Sequence, residues 1–231
     1  MNNLQALTGG ANLATSNLAS SDLSGVNVLI GINGSGKTVL LERIRAQIID
    51  SRVNTDLITN VASMREDEVF DEDVHISGAF KDMVDYDPDY MSKALALIQD
   101  IYPFISEVYV DECDDYLYAA TEHTSIDVTI MGAGFLSLLS IIANVFIAKG
   151  GFLCLDGLGR GLHISASESV ARFIIKNALK NNTQVFVSTH CPSVLSAFQT
   201  VCKELDTHLT LINVKSAYQL PNDVIDVEKL A

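Results

Sequence analysis

The stretch "VNVLIGINGSGKTVLLERI", residues 26 to 44, constrains the fold more than any other part of the chain. Val26 to Ile30 are mostly apolar and partly β-branched, which predicts a buried strand. Gly31-Ile32-Asn33-Gly34-Ser35-Gly36-Lys37-Thr38 follows, a full match to G-x-x-x-x-G-K-[ST]. Val39, Leu40, Leu41, Ile44 and Ile48 then recur at helical spacing. Strand, glycine loop and helix stand in the order that a phosphate-binding loop requires. Gly34 and Gly36 let the backbone turn tightly and bring N–H groups onto phosphate oxygens. The start of the helix adds a positive dipole end. Lys37 is expected to reach β- and γ-phosphates, and the Thr38 hydroxyl to bind Mg²⁺. Asn33, Gly34, Ser35, Gly36, Lys37, Thr38 and Val39 are therefore candidate nucleotide-binding residues.

A second signal lies downstream. "FLCLD" is four apolar residues ending in Asp156, and a carboxylate at the carboxyl end of a buried strand sits where such sheets bind ligands. In a phosphate-loop protein it is the expected Mg²⁺-holding position. "QVFVSTH" ends in His190, again at the carboxyl end of an expected strand. Between and around these runs the reading is as follows. Residues 1 to 24 form a weakly structured lead-in. "DLITNVA" (56 to 62) is a strand, "SMREDEVFDEDVHISG" an acidic loop and "DPDYMSKALALIQDIYP" a helix started by Asp87-Pro88. "SEVYVDE", "DYLYAATEH" and "SIDVTIM" make an antiparallel meander. "FLSLLSIIANVFIAKGG" is an apolar helix ended by Gly150-Gly151. "SASESVARFIIKNALKNN" and "CPSVLSAF" are helices, "THLTLINV" is a last strand, and a polar tail follows. Strand–helix alternation in the second half argues for a mostly parallel α/β sheet.

The charge is uneven. Residues 55 to 127 hold 19 of the 29 acidic residues and only Arg65, Lys81 and Lys93 as bases, a balance of −16, while the remainder balances at +2. The acidic segment repels a nucleic-acid backbone. It reads either as a solvated face or as a docking surface for a basic partner. No run of 18 apolar residues suggests a spanning helix, and the first residues lack the layout of a signal peptide. Cys113, Cys154, Cys191 and Cys202 have no C-x-x-C spacing, which fits reduced thiols in a cytoplasmic protein.

Taken in order, four segments resemble the ABC-type ATPases of the SMC, RecF and OLD kind. "GINGSGKTVLLERI" is similar to that class's phosphate loop, and "MGAGFLSLLSII" to its signature helix start, with Gly132, Ala133 and Gly134 as the phosphate-facing positions. "FLCLDGLGRGLHIS" is similar to its Walker B and D-loop, and "QVFVSTHCPSVLSAF" to its histidine switch. The resemblance covers residues 26 to 50 and about 130 to 200. It implies a P-loop NTPase of ABC-ATPase type: a mostly parallel sheet flanked by helices, with a small antiparallel meander. Residues 25–231 would form one nucleotide-binding domain, with acidic segment 55–127 inserted. It further implies ATP and Mg²⁺ as cofactors, with Thr38 and Asp156 on the metal and His190 sensing the γ-phosphate. Two copies would close head to tail on ATP. OLD-like relatives often work beside a nuclease or toxin in phage–host conflict, and SMC and RecF relatives act on DNA.

The chain departs from that class where chemistry is done. The usual Asp-Glu pair is Asp156-Gly157, so the general base is missing. Losing a positioned base typically costs about 10²–10⁴ in rate. Signature Ser is replaced by the Gly132-Ala133-Gly134 run, whose backbone N–H groups can still meet phosphate. No aromatic precedes Phe70, and no Gln lies between Gln47 and Gln99 to form the usual Q-loop. The expectation is a nucleotide switch with slow hydrolysis at most, self-associating on ATP and controlling a partner protein. The alternative is an active ATPase motor acting on DNA.

Overall fold

The computed structural model describes residues 25–53, 61–64, 73–214 and 225–230. In chain order the elements are β1 (Val26–Ile30), α1 (Lys37–Val53), β2 (Val61–Met64), α2 (Asp73–Tyr86), α3 (Pro88–Ile101), β3 (Glu107–Val110), β4 (Leu117–Ala120), β5 (Ser125–Asp127), α4 (Ala133–Ile147), β6 (Phe152–Leu155), α5 (Ser167–Asn181), β7 (Gln184–Thr189), α6 (Pro192–Glu204), β8 (Leu209–Val214) and β9 (Ile225–Leu230). Six strands form one sheet in the order β2-β6-β7-β1-β8-β9, parallel except for β9, and β3-β4-β5 form a separate antiparallel meander.

Alternation along the strands sorts the core into two layers. Val26 and Val28 of β1, Leu153 and Leu155 of β6, and Val185 and Val187 of β7 face one side. There they join buried residues of α2 to α6 and of the meander. Leu29, Phe152, Cys154, Phe186, Ile212 and Val214 face the other side. There they meet Leu40, Leu41, Ile44 and Ile48 of α1. Thus the helix that follows the phosphate-type loop is clamped by its own small apolar layer. Asn27 points into the buried sheet, and its amide donates to the Val185 carbonyl at 3.0 Å, tying β1 to β7.

Polar anchors fix the helices on the larger layer. Asp87 caps α3 by accepting from the Tyr90 N–H at 3.0 Å, and Pro88 opens the first turn, as the sequence suggested. The same carboxylate pairs with Lys149 at 2.6 Å, whose ammonium lies 3.9 Å from the Phe146 ring centroid. The Lys149 hydrogen bond, then the Tyr90 N–H, hold the Asp87 carboxyl below its ordinary pKa. Tyr90 is buried and donates to the Ile142 carbonyl, so α3 and α4 are joined inside the core. Burial pushes the pKa of its hydroxyl up, with the Asp87 charge adding to the shift.

Three sequence expectations change. The expected acidic loop ends early, because Asp73–Tyr86 is helical. Ile76, Ala79, Phe80 and Met83 are buried at helical spacing, and the surrounding acids hid that stripe. The last meander strand stops at Asp127, whose carboxylate accepts from the Thr129 N–H at 2.8 Å and starts a 3₁₀ turn over Val128–Ile130. The polar tail is in part a strand, since Ile225–Leu230 pairs antiparallel with β8. The strand expected at 56–62 is present at Val61–Met64, and its earlier residues lie outside the described residues, as does the lead-in 1–24. Among the described residues, no helix is long and apolar enough to cross a membrane.

Phe186 is the fully buried side chain of β7 in the α1 layer. Phe186→Ala is expected to cost about 3–5 kcal/mol, the usual loss for a buried aromatic. Urea denaturation followed by circular dichroism checks it, and a loss under about 1 kcal/mol would mean that the layer repacks freely.

Candidate functional site

The register of the sheet brings three strand ends level. Ile30 of β1 pairs with Thr189 of β7, and Leu155 of β6 pairs with Val187. The loop after β1, the loop after β6 and the end of β7 therefore meet at the carboxyl edge of the sheet. β1 lies between β7 and β8, inside the sheet, so its loop has strand ends on both sides. This is the crevice position for ligands in open α/β sheets.

The loop from Gly31 to Gly36 turns on Gly34 and Gly36, with φ of 78° and 95°, values a side chain rarely adopts. Lys37 opens α1 and is buried, and its ammonium donates to the carbonyls of Gly31 at 2.8 Å and Ile32 at 2.9 Å. The side chain thus folds back under the loop. Burial lowers its pKa below that of an ordinary lysine, and the charge of Asp156 works against that shift. Ser35 is buried in the same loop, while Ile32, Asn33, Gly34, Thr38 and Val39 are exposed.

Asp156 follows β6 and is buried. One carboxylate oxygen accepts from the Thr38 hydroxyl at 2.8 Å. The other accepts from the Ser188 hydroxyl, and Ser188 Oγ in turn accepts from the Gly157 N–H at 2.9 Å. A hydroxyl has a single proton, so the bond from Gly157 leaves it free to point at Asp156. Thr189 Oγ1 donates to the Leu158 carbonyl at 2.7 Å, and the Leu158 N–H donates to the Ser188 carbonyl at 2.9 Å. The β6–α5 loop is fastened to the end of β7 along its first residues. His190 comes next and is exposed, just before Cys191 and the proline-started α6.

The site residues predicted from sequence divide into two groups. Lys37, Thr38 and Asp156 come together, with His190 at the neighbouring strand end. Gly132, Ala133 and Gly134 open α4 and belong to a second cluster. Gly132 is its N-cap with φ of 94°, and a Cβ on Gly134 would lie 2.4 Å from the Gly161 carbonyl oxygen. Backbone packs on backbone there, which explains the glycine at 134. Gly157 stands where the resemblance expects Glu, and its φ of 66° is the left-handed conformation. Sequence reasoning missed Ser188. The signal was the polar pair Ser188-Thr189 ending an apolar strand, but its meaning depends on the β6–β7 register.

The residues present suit a divalent cation beside a phosphate chain: two oxygens of different side chains stand together at Thr38 and Asp156, with a lysine beside them. No protein-family model matches the chain. An uncharacterized protein of Methanocaldococcus jannaschii is 38% identical over 60 residues, which are 26% of this chain, and the chain spans about half (53%) of that relative's length. Solved structures align more widely. An SMC head bound to the C-winged helix domain of ScpA matches with a TM-score of 0.57 at 12% identity, over 90% of this chain and 92% of that one. The ATP-binding subunit of an ABC transporter matches at 0.54 and 14%, over 90% and 80%. A dimeric bacterial ABC transporter cassette matches at 0.54 and 14%, over 90% and 87%. The chain therefore has the P-loop fold of ABC-type ATPase and SMC head domains.

Ser188→Ala removes the donor to Asp156 and leaves the Gly157 N–H unpaired. It is expected to destabilise the protein by about 1–3 kcal/mol, the usual cost of a buried group left without its partner. Thr38→Val is expected to cost less, because Thr38 is exposed and water can replace its hydroxyl. Parallel urea denaturation of the two variants checks the order, and equal losses would remove Ser188 from its supporting role.

Proposed function

We propose that the chain is an ATP- and Mg²⁺-binding ABC-type module that self-associates on ATP and works as a nucleotide switch, with slow hydrolysis or none. The observation that carries this reading is the Thr38–Asp156–Ser188 chain of hydroxyls and carboxylate, set beside the Lys37 loop at the carboxyl edge of the sheet. In this reading the Gly34–Gly36 backbone receives the phosphates, and Lys37 leaves the Gly31 and Ile32 carbonyls to meet their charge. Thr38 and Asp156 hold Mg²⁺, which neutralises charge on the phosphate oxygens when bound. His190 reads the presence of the terminal phosphate, and Gly132, Ala133 and Gly134 offer backbone N–H groups to the nucleotide of a second copy. Residues 25–231 act as one domain, and a protein partner docks on acidic segment 55–127. A phage–host conflict setting fits this reading by resemblance alone. The acidic balance of that segment favours a protein partner over a motor that tracks DNA.

Gly157 supports the limit on turnover. It offers no side chain to polarise water, and nothing acidic follows it until Glu168. Its left-handed φ also means that a glutamate placed there would strain the loop by about 1–2 kcal/mol.

Size-exclusion chromatography with ATP and Mg²⁺, with ADP and Mg²⁺, and without nucleotide tests the switch. The expected result is a shift to a dimer with ATP alone. Lys37→Ala is expected to abolish the shift, because it removes the loop cation that faces the phosphates. A size independent of nucleotide, or a shift that survives Lys37→Ala, would contradict the reading.

A further inference from the structure

The meander packs one face on the core and turns the other outward. Val108, Leu117 and Ala119 are buried within the larger apolar layer. On the outward face, register aligns Tyr109 with Tyr118 and Tyr118 with Asp127. The Tyr109 and Tyr118 rings are stacked, with centroids 5.9 Å apart and planes 23° apart. Tyr116, half exposed, continues the patch toward the β3–β4 loop. The stack also supports the meander as a cross-strand pair, and it does so on the face turned away from the core residues of these strands.

The meander's own charge is predominantly acidic. Residues 107 to 127 contain Glu107, Asp111, Glu112, Asp114, Asp115, Glu122 and Asp127, and neither Lys nor Arg. From outside the meander, Lys81 reaches the rim, 3.7 Å from Asp115, with both side chains largely exposed. The acids do not converge on an ion. Among the described residues no group of three His, Cys, Asp or Glu side chains is placed to hold a metal. Asp114 accepts from the Tyr118 hydroxyl at 3.0 Å, so carboxylate and ring are joined at the patch. Spread negative charge around aromatic rings complements an extended cationic surface. A guanidinium fits better than an ammonium, because it is planar, stacks on rings and pairs with carboxylates through two N–H groups.

We infer that the outer face of the β3–β4–β5 meander, with Tyr109, Tyr116 and Tyr118 ringed by Asp111, Asp114 and Asp127, docks an arginine-rich segment of a partner protein. This deepens the partner-docking part of the reading above and rests on it. Rings give the preference for arginine, and the acidic rim gives the attraction and its salt dependence.

The test is a titration of the full chain, without nucleotide, against a fluorescein-labelled peptide of alternating arginine and serine and against its lysine counterpart. Fluorescence anisotropy is read at low and at physiological salt. The arginine peptide is expected to bind about 2- to 5-fold tighter than the lysine peptide, the range given by an exposed cation–ring contact. Tyr118→Phe keeps the ring and is expected to keep that preference. Tyr118→Leu is expected to lose it while both peptides still weaken with salt. Tyr109→Leu is the second variant, with the same loss expected if Tyr118→Leu does not fold. Equal affinities for the two peptides, no binding at low salt, or a preference that survives both leucine variants would overturn the assignment. Sizing of the tyrosine variants with ATP reports the nucleotide switch separately, so the two readings fail independently.

Discussion

A carboxylate buried at the edge of a sheet needs hydrogen-bond donors around it, and Asp156 has two hydroxyls and a neighbouring ammonium. That requirement organises the site. Thr38 comes from the helix after β1, Ser188 from the last turn of alternation in β7, and Asp156 from the end of β6. The three meet because β6, β7 and β1 are parallel, adjacent and in matching register. If β7 slipped by one residue, Thr189 would replace Ser188 on the Asp156 side and Phe186 would leave the α1 layer. Core packing and site geometry are therefore set by the same register.

Much of this was legible in the sequence, for identifiable reasons. The strand–glycine loop–helix at 26–44 announces itself by composition and spacing together. Asp156 stood out because it ends an uninterrupted apolar run, as a strand buried on both faces reads, and His190 because it follows the apolar run 185–187 and the polar pair Ser188-Thr189. Ser188 was not legible as a site residue, since its partners belong to other strands and only pairing reveals them. Helix α2 was hidden by the acidic run that precedes it in sequence and by Asp82 and Asp85 on its exposed side. Strand β9 was hidden by its distance from other apolar runs, although Ile225, Val227 and Leu230 mark a strand of mixed polarity. The close approach of Gly134 to Gly161 is a backbone contact between distant loops, and sequence carries no direct sign of it.

In the proposed reading the site holds a phosphate chain through Lys37, Thr38 and Asp156, and position 157 offers no side chain to activate water. Thr38 and Asp156 already share a hydrogen bond, Lys37 lies folded under the loop beside them, and the surrounding bonds to Leu158 and Gly157 fix the loop that carries the carboxylate. At the next position the left-handed φ of Gly157 and its missing side chain go together. The loop turns there in a way that suits glycine, and any other residue at 157 would have to adopt the same left-handed backbone.

The most direct measurement is phosphate release from ATP with Mg²⁺ by the unaltered chain, by Gly157→Ala and by Gly157→Glu. Both variants carry the same backbone strain, so their difference isolates the carboxylate. The account predicts that the unaltered chain and Gly157→Ala turn over well below the range of about 1–10³ s⁻¹ typical of enzymes, and that Gly157→Glu is faster than both. A positioned base is worth about 10²–10⁴ at most, so a gain within that range agrees. Turnover by the unaltered chain within the typical enzymatic range would contradict the account, because another residue would then be supplying the base.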